Sequence, residues 1–225
     1  MQIIILGPPG AGKGTQANLL CDYFKIPKIS TGDMLRSAIA ERSSLGQEVE
    51  AVISRGDLVS DEIMVALVKS RISQPDCGKG FLLDGFPRTL AQARALRDAG
   101  IEIMAVVELK VSDEVIVRRM QGRRVHLSSG RVYHLDTNPP KVSGVDDLTG
   151  EELVQREDDA PDTVLKRLKL YHDLINPLVD FYQHWRDVES VERSPDYVSI
   201  LGDADVNEVQ ERIVSSLGKI RRERE

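Results

Sequence analysis

Ile3-Ile4-Ile5-Leu6-Gly7-Pro8-Pro9-Gly10-Ala11-Gly12-Lys13-Gly14-Thr15, followed directly by Gln16-Ala17-Asn18-Leu19-Leu20, decides how this chain folds. An apolar run, a glycine turn carrying one lysine, and a helix start form the order of a phosphate-binding loop. The small residues let backbone N–H groups turn inward on phosphate oxygens. The helix N-terminus adds its positive dipole end, and Lys13 adds a point charge. The general pattern wants a hydroxyl straight after the lysine. Here that place is Gly14, and the hydroxyl arrives at Thr15. A chance glycine-rich turn would not be flanked by both a buried strand and a helix. The stretch reads as a nucleoside triphosphate site, with Gly10, Ala11, Gly12, Lys13, Gly14 and Thr15 around the phosphates.

Working outward, short apolar runs alternate with helical patterns. Strands are expected at residues 3–6, 81–83, 104–109 and 197–201, with a weaker one at 26–29. Their apolarity is continuous rather than alternating, which marks strands buried on both faces: a parallel sheet with flanking helices. Helix starts are expected at Ser30 or Thr31, at Ser60 before Asp61-Glu62, and at Ser112 before Asp113-Glu114. Each offers a capping oxygen and acids for the first turn. The longest helical pattern runs from about Thr163 to Trp185. Val164, Leu168, Tyr171, Ile175, Leu178, Tyr182 and Trp185 form one stripe, read as core packing. Pro177 falls inside it, where a bend is expected.

Two regions break this alternation. Residues 30–59 read as two extra helices. Residues 122–159 are dense in Arg, Gly, Pro, Ser and Asp and lack helical periodicity. They read as a small β-rich insertion, of the kind that is usually functional, and so as a lid. The chain divides into a core (1–29, 60–121, 160–225), a helical insertion (30–59) and the lid (122–159). The fold class is α/β, a P-loop NTPase-like parallel sheet core.

At 225 residues, with 41% apolar and 4% aromatic content, the composition is ordinary for such a fold. A net charge of −6 argues against a nucleic-acid partner. It also means that a phosphate site must gather its own arginines. Cys21 and Cys77 have no metal spacing, and Cys21 reads as a buried free thiol. No signal peptide or membrane-spanning stretch is legible, so a cytoplasmic enzyme without a membrane partner is expected.

Phe81-Leu82-Leu83-Asp84 is a buried strand ending in an acid, placed to hold Mg²⁺ directly or through water. The bland alternative is a cap for the following turn. Gly85, Phe86, Pro87 and Arg88 follow: Gly85 permits close approach, Pro87 stiffens the turn, and Arg88 projects a planar donor fork. One helical turn on, Gln92 can accept from an adenine amino group and donate to its ring nitrogen. His172 and His184 read as helix-surface residues.

Residues 7–15, Ser30-Thr31-Gly32-Asp33-Met34-Leu35-Arg36, Asp84-Gly85-Phe86-Pro87-Arg88-Thr89 and Gly122-Arg123-Arg124 together resemble the adenylate kinase family. Gly130-Arg131-Val132-Tyr133-His134, Asn138-Pro139-Pro140-Lys141 and Asp158-Asp159 extend the resemblance, in its long-lid bacterial form, across nearly the whole chain. It implies MgATP + AMP ⇌ 2 ADP by a monomer serving adenine nucleotide homeostasis and salvage. Arg36 and Arg88 would grip the AMP phosphate, while Arg123, Arg156 and Arg167 converge on the transferred group. Asp158 and Asp159 would orient those guanidiniums or cap the next helix. Thr31, Asp57, Leu58 and Val59 would complete the AMP pocket. Val132, Tyr133 and backbone near Ala204 would meet the ATP base.

Two other readings compete. Kinases for UMP or CMP usually carry a short lid, against the 122–159 insertion. A slow nucleotide switch needs neither five placed arginines nor a second nucleotide pocket. Many relatives hold a lid zinc with four cysteines. The matching positions here are His126, Ser129, Asp146 and Thr149. Hydroxyls are poor zinc ligands, so a metal-free polar network is expected.

Overall fold

The computed structural model describes residues 1–40, 42, 46–47, 49–50, 59–156, 159–185 and 194–224. Strands β1 (Gln2–Leu6), β2 (Lys28–Ser30), β3 (Phe81–Asp84) and β4 (Ala105–Lys110) belong to the main sheet. A separate antiparallel pair follows, β5 (Arg123–Val125) with β6 (Val132–His134), and β7 (Asp196–Leu201) then completes the main sheet. The main sheet is parallel throughout, in the order β2-β3-β1-β4-β7. The described helices are α1 (Lys13–Phe24), α2 (Thr31–Ala40), α3 (Asp61–Ile72), α4 (Leu90–Asp98), α5 (Asp113–Gly122), α6 (Pro161–Gln183) and α7 (Val206–Arg224). The weak strand expected at 26–29 forms two residues later. The second helix expected within 30–59 falls largely outside the described residues.

The first strand explains the layering. Ile3, Ile4 and Ile5 are fully buried, yet successive side chains point to opposite faces. Ile3 and Ile5 pack with Ala17 and Leu20 of α1 and with Val209, Ile213 and Leu217 of α7. Ile4 and Leu6 pack with Met64 and Val68 of α3, Ala93 and Leu96 of α4, and Leu178 and Tyr182 of α6. Each of the Ile, Leu, Val and Met side chains among these contributes about 1.5–3 kcal/mol on leaving water. Helix α6 runs unbroken through Pro177, and the apolar stripe read from the sequence is its buried face.

Helix starts follow their caps, with one exception. Ser60 Oγ accepts from the Ile63 N–H at 3.4 Å, and Thr89 Oγ1 accepts from the Gln92 N–H at 3.1 Å. Ser112 has the extended backbone of a cap, but its side chain makes no capping bond. Cys21 also departs from expectation. It is half-buried at the rim of the α1/α7 layer, and Cys77 is the buried thiol. Of its apolar neighbours, Leu19 is half-buried and Tyr23 exposed, since α1 buries Gln16, Ala17 and Leu20.

Strand β1 is flanked by β3 on one side and β4 on the other, so connections leave in opposite directions at its carboxyl end. In open parallel sheets this switch point leaves a crevice where ligands bind. The loops after β1 and β3 line it. Among the described residues no helix is long and apolar enough to cross a membrane.

Candidate active site

The turn after β1 is built around glycines that no other residue replaces easily. Gly10 and Gly12 have φ of 81° and 92°, in the left-handed region. A Cβ on Gly10 would lie 2.8 Å from Met120 Sδ, so α5 packs directly behind the loop. Ala11 N–H closes the turn on Pro8 O at 3.1 Å, and Gly12 forms the N-cap of α1. Gly14 and Thr15 fall in the first helical turn, with Thr15 exposed. The Lys13 Nζ folds back and donates to Gly7 O at 2.7 Å and Pro8 O at 2.8 Å.

Burial lowers the Lys13 pKa to about 8; Asp84 pulls it upward, while Arg88, Arg167 and Arg123 push it further down. Residues from β3, the following loop, α6 and the edge of α5 all act on one ammonium. Arg156 is not among them. It is half-buried and lies two residues beyond Val154, which bridges to Val125.

Asp84 ends β3 in register with Ile5, facing the start of α1: a Cβ on Gly14 would lie 3.7 Å from its Oδ2. Burial raises its pKa, Lys13 and Lys28 oppose that, and Asp33 adds to it. None of the described residues donates a hydrogen bond to its carboxylate. A hard carboxylate oxygen beside a phosphate loop suits Mg²⁺.

Gly85 follows at φ 78°, and its carbonyl accepts from Thr31 Oγ1 at 3.1 Å and Arg88 Nε at 2.8 Å. The Phe86–Pro87 peptide bond is cis, with Phe86 fully buried. One carbonyl thus ties the β2–α2 junction to the Arg88 fork. Gln92 is buried, and both its amide atoms are engaged. Oε1 accepts from the Arg88 N–H and Nε2 donates to Asp61, each at 2.7 Å. Val59 is half-buried against the α3/α4 layer. Arg36 lies on α2, but its side chain is outside the described residues, as are Asp57 and Leu58.

Arg123 caps α5 and forks onto the buried Asp159: Nε donates to Oδ2 at 2.8 Å, and Nη2 donates to Oδ1. Asp159 orients a guanidinium, one of the two roles expected of it. The neighbouring helix takes Ala160 as its N-cap instead. Asp158 lies outside the described residues. A Cβ on Gly122 would lie 2.4 Å from His134 Nε2, so a larger residue there would have to displace that imidazole.

The four positions that match a zinc site form a hydrogen-bonded network. Ser129 Oγ is 2.7 Å from His126 Nδ1, and Thr149 Oγ1 donates to Asp146 Oδ2 at 3.0 Å. The sequence reading missed three further members. Arg131 forks onto Asp146 at 2.7 and 2.6 Å, Tyr133 OH donates to it at 3.0 Å, and Glu151 meets His126 Nε2. The Arg131 fork, with backbone and hydroxyl donors, holds the Asp146 carboxyl far below its usual pKa. Tyr133 was expected against a nucleotide base. Its ring is turned into the segment, because the buried Asp146 draws its hydroxyl. Val132 is exposed, facing away on the alternate side of β6. Ala204 is half-buried two residues after Gly202, whose own Cβ would lie 3.6 Å from Ala11 O, so this turn lines the phosphate loop.

His172 and His184 are exposed and paired to Asp113 and Asp180, as surface residues. Asp61 was missed altogether. Its sequence signal, an acid just after a Ser cap, is that of any helix start.

A glycine cradle with an inward lysine, an acid at the neighbouring strand end and three convergent arginines can hold and neutralise a polyphosphate. A family model described as adenylate kinase matches residues 5–187. The chain therefore belongs to the adenylate kinase family, enzymes that transfer a phosphoryl group to a nucleoside monophosphate.

Proposed function

We propose that the monophosphate is AMP and the donor MgATP, giving two ADP, with a role in adenine nucleotide homeostasis and salvage. The observation that carries this is the site at the carboxyl ends of β1 and β3, where Lys13 folds into the glycine turn, Asp84 lies beside Gly14 and Arg88 is held on Gly85 O. Phosphoryl transfer asks a protein mainly to align two nucleotides and to neutralise charge. Loop amides of 10–15 and Lys13 hold the donor phosphates. Arg88, anchored on Gly85 O, reaches the acceptor phosphate with Arg36. Arg123, held by Asp159, stabilises the transferred group together with Arg156 and Arg167. Mg²⁺, bound with ATP near Asp84, supplies charge neutralisation on the phosphate oxygens.

Thr31, residues 57–59, Gly85, Phe86, Pro87 and Gln92 form the AMP side. Val132, exposed on β6, with the backbone of residues 132–133 and the turn at Ala204, forms the ATP side. Residues 122–159 act as a lid over the triphosphate, hinged at 121–122 and 158–161, and 30–59 act as the monophosphate-binding unit on the core. Closure keeps water from the phosphoryl group, the established use of such lids. The lid turns are pinned by the Asp146 network without zinc, and the enzyme works as a cytoplasmic monomer. A coupled assay offering AMP, GMP, UMP and CMP in turn tests the reading. Activity confined to AMP supports it. Equal turnover of a pyrimidine monophosphate, or hydrolysis without an acceptor, overturns it.

A further inference from the structure

Gln92 is 5% exposed, and its amide is clamped from both ends. The Arg88 backbone N–H donates to Oε1, and Nε2 donates to Asp61 Oδ1, both at 2.7 Å. The other carboxylate oxygen, Asp61 Oδ2, accepts from Thr89 Oγ1 at 2.9 Å. Thr89 in turn caps the helix that carries Gln92, accepting from its N–H at 3.1 Å. Asp61 is the first residue of α3, where the helix dipole favours a negative charge. It therefore reaches across 28 and 31 residues of sequence to hold one side chain and its cap.

A primary amide carries two lone pairs on oxygen and two N–H bonds on nitrogen. The clamp uses one of each, which leaves one acceptor and one donor on the outer edge. Rotating the amide by 180° would set NH₂ against the Arg88 N–H and the carbonyl against a carboxylate, two repulsive contacts. The clamp thus fixes which end accepts and which donates.

We propose that Asp61 is the positioning residue for base selectivity: through Gln92 it makes the site accept a 6-aminopurine and reject a 6-oxopurine. The inference rests on the reading that Gln92 faces the acceptor base. A 6-aminopurine presents an amino donor beside an N1 acceptor. A 6-oxopurine presents a carbonyl acceptor beside an N1–H donor, the reversed pattern. A free glutamine meets either by flipping its amide. A clamped one meets the amino form and leaves both groups unpaired against the oxo form, which is the strongest means of rejection open to a buried site.

The test is steady-state kinetics at saturating MgATP with AMP and with IMP, which differ at C6 and N1 alone. The enzymes are wild type, D61N, Q92L and the double variant. D61N should lower the ratio of kcat/KM for AMP over IMP at least tenfold, the AMP loss falling in KM. With Q92L already present, D61N should change the ratio less than twofold, since Asp61 acts through Gln92. A ratio kept within twofold in D61N overturns the inference. So does the same loss in the Q92L background, which would mark a general effect through α3. If Q92L leaves the KM for AMP unchanged, the assignment of Gln92 to the base fails, and this inference fails with it. Where D61N does not fold, side-chain ¹⁵N NMR of the wild type decides. Exchange-protected Gln92 NH₂ protons support the clamp, and rapidly exchanging ones overturn it.

Discussion

Replacing Lys13 by Met separates catalysis from stability in this site. In the ligand-free protein, burial and three arginines hold the Lys13 pKa near 8 instead of 10.5. A depression of that size corresponds to about 3 kcal/mol of unfavourable free energy for burying the charge. Within that net cost the ammonium still donates to Gly7 O and Pro8 O. Lys13→Met removes the buried charge together with its two bonds, so its melting temperature should fall no more than about 4 °C below wild type, the equivalent of roughly 1 kcal/mol in a chain of this size. The transition state loses its only phosphate-directed ammonium from the loop, at about 3–4 kcal/mol. That is a loss of several hundredfold in turnover, read by a coupled ADP assay beside a thermal melt. The pH dependence follows with its sign. A lysine whose folded pKa is depressed loses its charge between pH 8 and 10.5 in the folded protein while the unfolded chain keeps it. Stability therefore rises across that window in the wild type and not in the variant, whereas ATP affinity in the wild type falls above pH 8. A variant retaining more than a tenth of wild-type activity, or a wild type whose ATP affinity is flat from pH 7 to 9.5, would refute this account.

Three further outcomes are expected. Asp146→Asn should lower the melting temperature, and the gap from wild type should stay constant between pH 8 and 5. A carboxylate with a depressed folded pKa contributes fully above its unfolded value near 3.9, and that contribution fades only as pH falls through the folded one; a gap closing already at pH 6 would contradict the Arg131 clamp. EDTA should leave the melting temperature unchanged, and purified protein should carry no stoichiometric zinc, because both Asp146 oxygens are already occupied by donors. Spin labels at the exposed Ser143 and Ser37 should approach one another when a bisubstrate analogue binds; an unchanged distance distribution would count against a closing lid.

What the sequence determined by itself was whatever depends on neighbours along the chain. Residues 3–20 spell strand, glycine turn and helix, and the structure builds them so, because glycines at φ 81° and 92° and a continuous apolar run are local requirements. The stripe from Val164 to Trp185 likewise follows from periodicity alone. Helix ends were less legible. Ser112 reads like Ser60, yet only Ser60 makes its capping bond. Cys21 looked buried because its neighbours are apolar, but which face of α1 turns inward is set by the sheet and α7. The larger failures concern polar partners far apart in sequence. Nothing local tells Tyr133 to turn its hydroxyl to Asp146 or Asp61 to clamp Gln92, and the Arg123 fork onto Asp159 was expected from the family resemblance rather than from spacing. Those pairings exist because a buried carboxylate must find donors wherever the packing brings them. Only the tertiary structure, by closing separations of 13, 36 and 31 residues, decides which donors those are.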